Sequence, residues 1–141
     1  MKNYKIILLF LFFTFFTLDS TKAQDNKSKD GVYFEVEKMP EYPGGIDALK
    51  NDIINNVKYP EEAKKKGIQG KVFVSFIVDE KGKVSDAKVV RGVDPALDKE
   101  SIRVIGNLKD WTPGMEKGKA VKVSYTVPIK FALDEKPENK S

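Results

Sequence analysis

A run near the C-terminus alternates strictly between apolar and other residues. Val121, Val123, Tyr125, Val127, Ile129, Phe131 and Leu133 form one set, with Lys122, Ser124, Thr126, Pro128 and Lys130 between them. Successive side chains of a strand point to opposite faces, so this pattern predicts a β-strand with one face on a core and one toward water. Pro128 constrains it further. A proline has no N–H to give to a sheet ladder, so this strand belongs at a sheet edge or at a bulge. A second strand opens at Gly70 and has the opposite character. Val72, Val74, Phe76 and Val78 occupy one face and Phe73, Ser75 and Ile77 the other, which places it at the centre of a sheet.

Between and before these strands the periodicity changes. Ile46, Leu49, Ile53 and Val57 recur at helical spacing, with Asp47, Lys50, Asp52 and Asn56 outward. Pro60 suits the first position of a short second helix ending at Gly67, whose early acids Glu61 and Glu62 and late bases Lys64–Lys66 match the helix dipole. Asp79–Lys83 reads as a hairpin loop with Gly82 at a positive φ. The returning strand, Val84–Arg91, changes parity between Val84 and Ala87, which predicts a bulge near Ser85–Asp86. A turn at Gly92–Pro95 leads into a helix reaching Leu108, with Leu97, Ile102, Ile105 and Leu108 as its expected buried stripe. Residues Trp111–Lys119 read as a loop, and Val32–Glu37 as a short strand. The expected architecture is α+β: an antiparallel sheet with helices packed on one face.

Composition narrows the function. The 141 residues contain no cysteine and no histidine, which removes disulfides, thiolate sites, the imidazole base and the commonest metal ligand. No cofactor and no metal is expected. The carboxylates Glu61–Glu62 and Asp94/Asp98 stand at helix starts, where capping accounts for them better than catalysis. The chain reads as non-enzymatic. Its formal charge is +4, but Lys2, Lys5 and Lys22 against Asp19 lie in the first 23 residues, leaving +2 beyond them. So balanced a surface is not that of a nucleic-acid binder. The Gly44–Gly45 pair lacks the rest of a phosphate-binding loop and reads as a turn.

At the N-terminus a short basic stretch, Met1–Lys5, precedes Ile6–Leu18, thirteen residues apolar but for two threonines. A membrane-crossing helix needs about 20 such residues, and a shorter run fits a signal-peptide core. Small residues at Thr21 and Ala23 would permit cleavage before Gln24. The expected organisation is a signal peptide at 1–23, a polar linker at 24–35, a domain at 36–133 and a polar tail at 134–141. The expected location is the periplasm, or the inner membrane facing the periplasm if the N-terminus stays attached.

Tyr59-Pro60, Ala63, Gly67, Gly70, the Val72–Val78 strand, Gly82, Val84, Trp111, Pro113, Gly114 and the Val121–Phe131 strand occur in an order and spacing that resembles the TonB C-terminal domain family. Tyr42-Pro-Gly-Gly45 and Arg91–Pro95 with Leu97-Asp98 resemble a subgroup of it. The resemblance covers about residues 36–133. It implies a three-stranded antiparallel sheet with helices on one face, and capture of the N-terminal box peptide of outer-membrane TonB-dependent transporters beside the last strand. The partner-binding residues it implies are Lys58, Tyr59, Pro60, Lys122, Val123, Ser124, Tyr125, Thr126, Val127, Pro128, Ile129 and Lys130. Lys58 stands where well-known members carry glutamine. Full transducers also couple to ExbB–ExbD through a membrane helix and span the periplasm with a long proline-rich segment. Residues 24–35 reach only about 40 Å when extended, so peptide capture is expected ahead of transduction. A third alternative is a homodimer formed by pairing of the edge strands.

Overall fold

The computed structural model describes residues 26–133. The expected signal peptide and polar tail lie outside the described residues. Helices α1 (Gly45–Asn56) and α2 (Glu61–Lys65) lead into strands β1 (Gly70–Val78) and β2 (Val84–Arg91). Helix α3 (Pro95–Gly106) follows, then the short strands β3 (Gly114–Glu116) and β4 (Lys119–Val121), and finally β5 (Val123–Phe131). The main sheet is antiparallel with order β2-β1-β5, so the two-faced strand is central and the proline-bearing strand is an edge.

One face of this sheet carries the core. Val72, Val74, Phe76 and Val78 of β1 and Val123, Val127, Ile129 and Phe131 of β5 are buried. Against them pack Leu49 and Ile53 of α1, Ala63 of α2, and Leu97, Val104 and Ile105 of α3. Phe73, Ser75 and Ile77 point to the opposite, open face, on which none of the described helices sits.

Four sequence expectations change in detail. The stripe of α3 is Leu97, Ser101, Val104 and Ile105, whereas Ile102 is 38% exposed. Ser101 can replace an aliphatic residue because its hydroxyl donates to the Leu97 carbonyl at 2.8 Å, leaving nothing polar unpaired. Ile46, expected inward, is 55% exposed at the first turn of α1, over a cleft of about 300 Å³ between Tyr42, Trp111 and Tyr125. The final strand is split at Lys122, and its first part pairs as β4 with β3, so Trp111–Lys119 contains half of a hairpin. Lys38 and Glu41 extend that small sheet through paired main-chain bonds to Met115 and Thr112. Instead of a strand at Val32–Glu37 there is one bridging residue, Tyr33, which pairs with Lys27 on one side and Val123 on the other. The bulge expected at Ser85–Asp86 is present, with Asp86 at φ 50°, and a second register shift falls at Val90.

Candidate functional site: the outer edge of β5

The β1–β5 ladder runs without irregularity from Gly70↔Phe131 to Val78↔Val123. Main-chain direction on its outer side is established by Tyr33, whose N–H donates to the Lys122 carbonyl at 2.8 Å and whose carbonyl accepts from the Ser124 N–H at 2.8 Å. N–H and C=O groups alternate sides along a strand, so those of Thr126, Pro128 and Lys130 also face away from β1. Pro128 therefore withholds a donor only on the outer side. From Thr126 to Lys130 no described residue pairs with this edge.

The edge is approached from two sides. On the helix side, Val127, Ile129 and Phe131 are buried, and the ring of Tyr59 stands edge-on to Phe131 at 5.5 Å between centroids. The Tyr59 hydroxyl donates to the Ile68 carbonyl, fixing the ring beside the end of β5. Lys58 is held through its main chain, its N–H donating to Glu100 Oε1 at 2.7 Å while its side chain stays exposed. Arg103 grips the same Glu100 and reaches the Asn56 carbonyl at 2.7 Å. The guanidinium beside Glu100 holds that carboxyl below its ordinary range. The α1–α2 connection bearing Lys58-Tyr59-Pro60 is thereby tied to α3.

On the open face the β5 residues form rungs with β1: Ser124 with Ile77, Thr126 with Ser75, Pro128 with Phe73 and Lys130 with Lys71. Arg91 of β2 stacks on the Phe73 ring, 5.9 Å from its centroid. Over the Ile77 end lies a turn of residues 26–34, closed by Phe34 N–H to the Asn26 carbonyl (2.7 Å) and Ser28 N–H to the Val32 carbonyl (2.7 Å). Beneath it is a cavity of about 360 Å³ whose walls include Asp30, Phe34, Ile77, Asp86, Lys88 and Ser124.

The residues expected to bind a partner thus fall into one region but not one surface. Thr126, Pro128 and Lys130 present an open edge. The Lys122 carbonyl and the Ser124 N–H are bonded to Tyr33. Val123, Val127 and Ile129 face the core, Tyr125 is half-buried among Phe76 and Trp111, and Lys58, Tyr59 and Pro60 flank the helix side. Tyr33 and the open-face neighbours Lys71, Phe73 and Arg91 were not among the residues expected. The two-faced pattern of β1 was the signal for Phe73, but its partners follow only from the register.

Of the carboxylates set aside above, Asp94 and Asp98 have structural work, whereas Glu61 and Glu62 lie in the first turn of α2 without a side-chain capping bond. Asp94 caps α3, accepting from Ala96 N–H at 3.0 Å, and Asp98 accepts from Val93 N–H at 3.0 Å. Among the described residues no group of three potential metal ligands is found, and no helix is long and apolar enough to cross a membrane.

Fold and edge together define a small α+β domain built on an open antiparallel sheet whose last strand is incompletely paired. The family described as Gram-negative bacterial TonB protein C-terminal matches residues 55–133, and the chain belongs to it. It is similar to Protein TonB of Helicobacter pylori, 28% identical over 118 residues, covering 79% of this chain but 39% of that protein. The chain thus spans about two fifths of that relative's length. A solution structure of the Helicobacter pylori TonB C-terminal domain superposes with a TM-score of 0.50 at 28% identity, covering 64% of this chain and 96% of the other.

Proposed function

We propose that this chain is a non-catalytic periplasmic module that captures an extended segment of an outer-membrane TonB-dependent transporter as an added strand on β5. The observation that carries it is the outer edge from Thr126 to Lys130, where main-chain groups face outward with no described partner. Such an edge is an aggregation hazard unless it serves to take up a strand. Main-chain bonds supply the affinity of strand addition, and side chains on either face tune its choice. Tyr59 and Phe131 would flank the captured strand on the helix side, with Lys58 nearby.

Titration with a synthetic transporter box peptide, followed by residue-resolved hydrogen exchange, tests this. Slowed exchange at the Thr126 and Lys130 amides is expected. Saturable binding that leaves both amides unchanged would move the site elsewhere.

The same fold would serve an energy transducer coupled to ExbB–ExbD if the apolar run Ile6–Leu18 remained in the membrane. The mass of the protein from its native envelope separates the two: a start near Gln24 supports the exported module, and an intact Met1 in the membrane fraction the transducer.

A further inference from the structure

Lys71 and Lys130 stand directly opposite one another on neighbouring strands, on the open face of the sheet. Tyr33 sets the outward direction of the even-numbered β5 residues, so this rung is one of the non-hydrogen-bonded pairs, in which side chains approach most closely. Both residues are exposed, and neither forms an ion pair with a described residue. Like charges in this arrangement oppose folding. The cleft beside them, about 510 Å³, is lined by Lys71, Phe73, Arg91, Gly92 and Val93 and includes no carboxylate. The acids Asp30 and Asp86 line the cavity at the far end of the face, with Ser75, Ile77 and Lys88. Asp98, near Gly92, is already engaged with the Val93 N–H.

A strand added outside β5 would extend these rungs by one residue each. Its residue paired with Lys130 would place its side chain beside the Lys130 ammonium group, with Lys71 one strand further in on the same rung. The residue two positions away would fall beside Pro128, on the rung that continues through Phe73 to Arg91. We propose that Lys71 and Lys130 are specificity determinants for an acidic side chain on the captured strand, with an apolar side chain two residues away resting against Pro128 and Phe73. A carboxylate at the end of the lysine rung supplies the unbalanced pair with a counter-charge beside Lys130. The proposal rests on strand capture at β5, and deepens it by naming the kind of strand. A second copy of β5 fits poorly as the occupant, because its own outward residues, Ser124, Thr126, Pro128 and Lys130, include no acid.

The test is calorimetry on the full chain in non-ionic detergent. The probes are short acetylated peptides of alternating threonine and valine that differ only in glutamate, glutamine or lysine at one position, two residues from a valine. The glutamate peptide is expected to bind about three- to five-fold more tightly than the glutamine peptide, as for an exposed cross-strand charge pair. The lysine peptide should be weakest. In the double variant Lys71→Gln/Lys130→Gln the ratio of glutamate-peptide to glutamine-peptide affinity should fall to about one. Equal affinities in the parent chain would overturn the assignment while leaving strand capture intact. A glutamate preference that survives the double variant and vanishes in Lys58→Gln would move the acid to the helix side, and would equally overturn it. Binding of none of the peptides, with β5 amide exchange unaltered, would sink strand capture and this proposal with it. Lys71→Gln alone should raise the urea midpoint of the free chain, and an unchanged midpoint would remove the premise of an unbalanced pair.

Discussion

Pro128 lies directly across from Phe73 in the β1–β5 ladder, at a rung where β5 turns its main chain away from β1. The inner ladder therefore loses no hydrogen bond to the proline, while the outer edge loses one donor. Pro128→Thr restores that donor. It should cost less than about 1 kcal/mol, mainly through a freer unfolded chain, and should increase self-association in sedimentation velocity. Val127→Pro, one residue away, breaks the inward pairing with Val74 and should cost more than about 2 kcal/mol or prevent folding. Equal losses from the two variants would show that the edge parity is misassigned.

Tyr33 occupies the first outward position of the same edge. Ser124 N–H is bonded to its carbonyl, and Thr126 N–H has no such partner among the described residues. In the free chain the Ser124 amide should exchange with solvent more slowly than Thr126. Deleting residues 26–34 should erase that difference and lengthen the edge open to a partner. Indistinguishable exchange at Ser124 and Thr126 in the parent chain would mean that Tyr33 does not hold the edge in solution.

The turn between β1 and β2 is locked to the loop before β3. Gly82 has φ 81°, its carbonyl accepts from Trp111 N–H at 2.7 Å, and a Cβ there would collide with the Trp111 carbonyl. Trp111 in turn packs edge-on against Tyr42 at 5.3 Å and beside Phe76 and Tyr125. Gly82→Ala should cost about 3 kcal/mol or more, read by urea denaturation through the fluorescence of this single tryptophan. Gly118→Ala has a similar φ of 75° but open space around it, and should cost only about 1 kcal/mol. The contrast separates steric contact from backbone strain.

What could be read from the sequence was what side-chain pattern encodes. The two apolar faces of β1 and the proline of β5 placed both strands correctly, and the parity change at Ser85–Asp86 located a real bulge. Ile102 misled because its place in the core is filled by Ser101, a polar residue satisfied by its own helix. The pairing of Lys38 and Glu41 with Met115 and Thr112, and of Tyr33 with β5, is made by main-chain groups that leave no side-chain signature. For the candidate site, the edge was visible through Pro128. Its part-occupant Tyr33 and the lysine pair were not, because both depend on which residues the register sets side by side.

Tyr42 gives the domain an alkaline limit. Its ring is buried against Trp111, and its hydroxyl donates to Asp52 Oδ2 at 2.6 Å, with Lys109 Nζ 3.2 Å from the same oxygen. Burial, and then the hydrogen bond to Asp52, push the phenol up to about 12. An unfolded tyrosine ionises near pH 10, so above that pH the unfolded state releases this proton and the folded state retains it. The contribution of Tyr42 is thus complete below pH 10 and is lost as pH rises through about 12. Lysines titrate in the same window, so the informative quantity is the difference between the parent chain and Tyr42→Phe. The variant should be less stable at pH 8, by about 1–2 kcal/mol for the lost bond to a carboxylate, and the gap should narrow between pH 10 and 12. A gap that stays constant across that range would mean that the phenol ionises equally well folded and unfolded, and that the bond to Asp52 does not hold in solution.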